Sequence, residues 1–169
     1  MILVGLSLPA RAGEETPAKT VDAFYGWYVA HHGRVEKIWK DIEKLFDSDL
    51  YGFVEETYYK DDYKSNDILV STCRNWVPTC KDVSYDFFTN ARSPATSYTI
   101  GATHIEGSQA TVSVTLQLSN SDGGESHVSA ILRNDGGRYV IYNLLFEERG
   151  YYYAGPIVDL RKFLGAYNC

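Results

Sequence analysis

The chain is predicted to be an α+β domain: N-terminal helices packed on a curved antiparallel sheet, with a short C-terminal helix. Three observations carry this expectation. Apolar residues recur at helical spacing in the first third of the chain. Beyond residue 95 the period switches from 3.6 to 2. Gly-containing turns then cut the second half into four runs of strand length.

The helices come first. Thr16-Pro17 supplies an N-cap and a first helical position, and Val21, Phe24, Tyr25 and Tyr28 follow on one face, with Gly33 closing the helix. Val35, Ile38, Ile42, Leu45 and Phe46 form the stripe of a second helix. Ser48 is placed to cap a third, which carries Leu50, Phe53, Val54 and Thr57 and ends in the polar stretch 60–66. Asp67-Ile68-Leu69-Val70 suits either a continued helix or a short strand. The segment from Cys73 to Cys80 reads as a loop, and Tyr85-Asp86-Phe87-Phe88 as a short ordered anchor.

Strands are expected at about 97–106, 109–118, 126–134 and 138–147. The turns between them are Glu106-Gly107-Ser108, the loop around Asp122-Gly123-Gly124, and Asn134-Asp135-Gly136-Gly137. In the second strand Ala110, Val112, Val114, Leu116 and Leu118 alternate with Thr111, Ser113, Thr115 and Gln117, the pattern of a sheet with one covered face. Pro156 then opens a terminal helix carrying Ile157, Leu160, Phe163 and Leu164. In such a layout helices and sheet enclose a cone, which is either a pocket or a core.

Composition narrows the function classes. At 169 residues, 44% hydrophobic and 22% charged, the chain fits one domain with a real core. A net charge of −6 without a Lys/Arg cluster argues against nucleic acid; Arg161-Lys162 is an isolated pair. No apolar run reaches the length of a membrane span. Fourteen tyrosines supply most of a 14% aromatic share, suited to half-buried sheet faces or pocket walls.

Ile2 to Leu8 is a compact apolar run followed by Pro9 and Ala10-Arg11-Ala12. It reads as the second half of a secretory signal peptide, residues 1–12, cleaved before Gly13, with a single domain at 13–169. The basic n-region is missing, and no Cys follows the cleavage site, so a lipid anchor is not expected. Cys73 and Cys80 have a spacing that a disulfide can close, for about 2.5 kcal/mol on the chain-entropy estimate. Cys169 is left over, free or paired. The cysteine spacing makes no zinc set, and no metal or cofactor is expected.

The element order, with Val21-Asp22-Ala23-Phe24-Tyr25-Gly26-Trp27-Tyr28, Leu50-Tyr51, Asp86-Phe87-Phe88-Thr89-Asn90-Ala91, residues 137–144 and residues 158–164, resembles the NTF2-like superfamily. Within it the chain is similar to the exported bacterial family DUF3828 over most of 17–165. Two positions depart from that family: Tyr139 stands where Trp is usual, and Asn143 where an acid is frequent. The resemblance implies a fold and a periplasmic or secreted location in a Gram-negative envelope. It implies no reaction.

The candidate site residues are Asp86, Tyr139, Asn143, His104 and His127. Asp86, flanked by Tyr85, Phe87 and Phe88, is either a general acid or base raised by apolar neighbours or a turn Asp. His104 and His127 lie on strands and either meet across the sheet in a proton-transfer site or sit on its less buried face. Asn143 shares a face with Tyr139, Ile141 and Leu145 on strict alternation, as a pocket residue or an amide tying sheet to helix. His31-His32 point about 100° apart and would favour a helix C-terminus when protonated. Nucleophile motifs are absent: no G-x-S-x-G, S-x-x-K or H-E-x-x-H.

The leading expectation is therefore an exported, non-enzymatic module, monomer or homodimer, that binds a protein or small ligand in the envelope. An immunity-type inhibitor of a secreted toxin is its specific form. The alternative is a small cone-pocket isomerase, dehydratase or hydrolase using Asp86 or a His. With the chain acidic, a protein partner is expected to be basic, and to associate more slowly as salt rises.

Overall fold

The structure, a computed structural model, describes residues 15–31, 39–60, 69–71, 84–86, 88–91, 93–119, 124–147 and 159–162. It is α+β, as expected. Helix α1 (Pro17–Ala30) is followed by a short α2 (Trp39–Ile42), a 3-10 turn (Glu43–Leu45) and α3 (Ser48–Lys60). Strands β1 (Leu69–Ser71) and β2 (Ser84–Asp86) form an antiparallel pair. The remaining strands, β3 (Ala95–Glu106), β4 (Gln109–Leu118), β5 (Glu125–Asp135) and β6 (Arg138–Phe146), make one antiparallel sheet in the order β3-β4-β5-β6.

The local rules explain most boundaries. Thr16 caps α1, its hydroxyl accepting from the Lys19 N–H at 3.3 Å, with Pro17 at the first helical position. The helix ends at His31, whose backbone N–H donates to the Trp27 carbonyl. Its ring Nδ1 lies 2.7 Å from the same oxygen, and the ring stacks on Trp27. At the β5–β6 turn Gly136 and Gly137 both have positive φ, which a two-residue hairpin of the favoured twist requires. The Asn134 side chain accepts from the Gly137 N–H there at 2.9 Å.

Two expected boundaries differ. The stripe carried to Phe46 as one helix ends instead at Ile42, and Phe46 is extended, bridging to Ile141 in parallel. Pairing with the β6 edge outweighs helical spacing at that residue, and the Asp47 N–H continues it by donating to the Ile141 carbonyl at 2.9 Å. Asp47, not Ser48, then caps α3: its carboxylate accepts from the Leu50 N–H. Of the terminal helix, 160–162 is helical. Residues 1–12, the three cysteines and His32 lie outside the described residues.

The covered face of the sheet carries Val112, Val114, Leu116, Val128, Ala130, Leu132, Ile141 and Leu144, on which α1 packs. An aromatic cluster fills the space between. Phe24, fully buried, has ring centroids of Tyr25, Phe46 and Phe88 at 4.7, 5.0 and 5.0 Å and of Tyr28 at 6.4 Å. The space that the sequence leaves open as pocket or core is packed here as core.

Polar bonds fix α1 on the sheet. The Thr20 hydroxyl donates to the Tyr139 carbonyl at 3.1 Å, and Tyr98 donates to the Asp22 carboxylate at 2.8 Å. A Cβ on Gly26 would stand 3.1 Å from the Tyr98 hydroxyl, so glycine permits this close approach. Burial, then the hydrogen bond to Asp22 and its charge, push the Tyr98 phenol up to about 12. The neutral phenol is thus favoured by folding. Its contribution is complete below the ordinary tyrosine range near 10 and is lost as pH rises through about 12. Tyr98→Phe is expected to remove that alkaline decline and to cost about 1 kcal/mol at neutral pH, read from urea unfolding at a series of pH values. An unchanged alkaline limb would show that Tyr98 does not supply it.

Candidate functional site

A strand bulge organises the region where most charged contacts meet. Asn143 pairs with Ile131 and Ile141 with Leu132, so Tyr142 is an extra residue in β6. The bulge reverses the alternation. Tyr139 and Ile141 share the covered face with Asn134 and Leu132, whereas Asn143 and Leu145 align with Ile131 and Ser129 on the opposite one. The single face expected for Tyr139, Ile141, Asn143 and Leu145 is thereby corrected.

Asn143 is a tie between sheet and chain terminus. Its Nδ2 donates to Asp159 Oδ1 at 2.8 Å, and its Oδ1 accepts from the Leu144 and Arg161 N–H groups at 2.9 and 2.8 Å. The amide is 8% exposed and uses both of its ends. Asn143→Asp would replace a donor by a second carboxylate facing Asp159. The expected cost is about 1–3 kcal/mol at neutral pH, shrinking as pH falls and the two carboxylates come to share a proton. Unfolding at pH 7 and pH 4 reads both the loss and its recovery; an equal loss at both would reject the electrostatic account.

Arg161, from the pair that appears isolated in sequence, is the hub of this region. It donates to Asp47 Oδ1 at 2.8 Å, Asp49 Oδ2 at 3.1 Å and the Tyr142 carbonyl at 3.2 Å. Its guanidinium lies 4.0 Å from the Tyr142 ring centroid, and that of Arg133 lies 3.2 Å from the same centroid. The bulge therefore presents one aromatic ring to two cations. Sequence reading missed Tyr142, Arg133 and Arg161, because no local pattern marks a bulge or a partner 114 residues away.

Arg133 and Asp47 both line a cleft of about 620 Å³ between the helical segment and the β5–β6 hairpin. Lys44, Asp47, Ser48 and Tyr51 form one wall; Arg133, Asp135, Arg138 and Val140 form the other. Its size is that of a small-ligand site.

The second surface is the uncovered side of the sheet. Among the described residues, Ser97, Thr99, Ser113, Gln117 and Glu125 are exposed there. Thr115 Oγ1 lies 3.3 Å from His127 Nδ1, His127 Nε2 lies 3.7 Å from Glu125, and Gln117 donates to Glu125 at 2.6 Å. The His127 and Glu125 side chains are 42% and 49% exposed, so this is a solvated polar ladder and not an enclosed proton-transfer site. Beyond it the β3–β4 hairpin projects with all of residues 101–109 exposed; His104 and Glu106 align with the uncovered face, and Ile105, 54% exposed, aligns with Ala110 on the covered one.

The other expected residues are separated. His104 aligns with Thr111 and His127 with Thr115, four residues along β4, or about 13 Å, so the two histidines do not meet. His104 is exposed. Tyr139 packs against the core beneath α1. Asp86 ends β2 opposite Leu69, and its side chain lies outside the described residues. Described His, Cys, Asp and Glu side chains form no group of three able to hold a metal. No described helix is long and apolar enough to cross a membrane.

No protein-family model matches the chain, and no curated protein matches it. Among solved structures, one chain of the type VI native effector-immunity complex Tae3-Tai3 from Ralstonia pickettii is similar at a TM-score of 0.47 and 14% identity, over 82% of this chain and 99% of that chain.

Proposed function

We propose that this protein is an exported, non-enzymatic binding module that engages a basic protein partner through the open face of its sheet and the projecting β3–β4 hairpin. The observation that carries the proposal is the unbroken exposure of residues 101–109: Ile105, 54% exposed, is presented in register with Ala110, while His104 and Glu106 on the same strand continue the uncovered polar face. An apolar anchor on a projecting hairpin whose other exposed residues include Thr103, His104, Glu106, Ser108 and Gln109 has the composition of a protein-binding surface. The net charge of −6 favours a basic partner.

An immunity-type inhibitor of a secreted toxin is the specific form proposed, on an NTF2-like plan. Its supports are small size, acidity, the signal-like residues 1–12, and helices preceding a four-stranded antiparallel meander.

The test is affinity capture from envelope extract by mature protein, residues 13–169, beside an Ile105→Glu variant of equal stability. One stoichiometric partner, retained by the parent and reduced tenfold or more by Ile105→Glu, is the expected result. Capture of nothing, or of a partner indifferent to Ile105→Glu and to Thr99→Arg on the open face, would overturn the proposal.

A further inference from the structure

The cleft between the helical segment and the β5–β6 hairpin carries a chemistry distinct from the protein-binding face. Its lining includes the cations Lys44, Arg133 and Arg138 and the carboxylates Glu43, Asp47 and Asp135. Asp47 is already engaged, since Arg161 holds it at 2.8 Å while it caps α3. Three cations thus face two uncommitted acids, in a chain whose overall charge is −6.

The ion pairs among the described residues are Arg161 with Asp47 and Asp49, and His127 with Glu125. None of them uses Lys44, Arg133 or Arg138. Arg133 is nevertheless held in place. Its guanidinium lies 3.2 Å from the Tyr142 ring centroid, and Tyr142 is itself backed by Arg161, which is anchored to two carboxylates. A stacked guanidinium keeps its N–H edges available while losing much of its rotational freedom. That is the pre-organised fork that binds carboxylate or phosphate oxygens in pairs. Arg138, beside it on the facing strand of the hairpin, adds a second cation on the same wall.

We propose that this cleft is a binding site for a small oxyanion, a carboxylate or phosphoryl compound, with Arg133 making the bidentate contact and Arg138 and Lys44 supplying charge. Occupancy does not depend on the protein partner, so the two proposals fail separately.

The test titrates the protein at low ionic strength with citrate and with inorganic phosphate, following NMR shifts and heats of binding. Saturable binding of at least one probe at millimolar concentration or tighter is expected, with shifts centred on 133–140 and 43–51. Citrate alone saturating assigns carboxylate chemistry; phosphate alone assigns phosphoryl chemistry. Arg133→Lys keeps the charge and loses the fork, and is expected to weaken binding about tenfold, as is Arg138→Gln. Lys162→Gln, outside the cleft, should bind as the parent does. Urea unfolding of each variant confirms that it is folded under the titration conditions. Failure of both probes to saturate, or parental affinity in folded Arg133→Lys, would overturn the assignment.

Discussion

Phe24→Ala is expected to lower stability by about 3–5 kcal/mol, the largest single-residue loss in the described core. Phe24 is fully buried and meets four aromatic rings, from its own helix, from Phe46 and from the segment leading to β3. Truncation leaves a cavity among rigid rings that cannot collapse into it, and edge-to-face contacts are lost with the transferred area. Since native domains are stable by only about 5–15 kcal/mol, the variant should be partly unfolded near physiological temperature. Urea unfolding followed by far-ultraviolet circular dichroism reads the change. Phe24→Leu keeps most of the volume and should recover more than half of the loss. A loss below about 1.5 kcal/mol for Phe24→Ala would mean that the cluster is not the structural centre described.

Arg161→Ala is expected to cost about 2–3 kcal/mol. The contacts are not equivalent. Asp49 is 71% exposed and contributes little, as solvated ion pairs do. Asp47 is 22% exposed and Arg161 19%, so their pair at 2.8 Å is partly shielded, and removing the cation leaves a half-buried carboxylate without its partner. Loss of the Tyr142 carbonyl bond and of the stacking on its ring adds to this. The same-background change Asp47→Asn keeps an acceptor for the Leu50 N–H while removing the stranded charge, and should restore about 1 kcal/mol. No recovery in that double variant would show that the charge pair is not the source of the loss. Because Arg161 supports Tyr142, and Tyr142 supports Arg133, the variant should also weaken oxyanion binding in the cleft.

Much of the sheet was legible in advance. Val112, Val114 and Leu116 alternate with polar residues, and the glycines that permit positive φ stand at positions 107, 136 and 137. β4 occupies the expected 109–118, and the other three sheet strands differ by one or two residues at their ends. The first helix was legible for the same reason: its cap, its Pro and its apolar spacing are local. Phe46 departs from the expected helix because a stripe at helical spacing is also compatible with a residue that leaves the helix to pair with a strand. The Phe46 to Ile141 bridge joins residues far apart in sequence.

The candidate site was less legible. His127 was found, but its surroundings on an open face remove the enclosed chemistry considered for it. For Asn143 the sequence allows a pocket residue or a tie, and its three hydrogen bonds select the tie to the chain terminus. Nothing in the sequence marks the cleft, because its walls are assembled from segments about ninety residues apart and no motif spans them.

The sequence by itself determined the α+β class, the order of helices and strands and the covered face of the central strands, since these depend on period, turns and caps within a few residues. Tertiary structure alone decided the β6 bulge, the Arg161 hub, the stacking of Arg133 on Tyr142 and the resulting cleft. The physical reason is that one inserted residue reverses every later side chain on its strand, and only a folded sheet shows where the insertion falls.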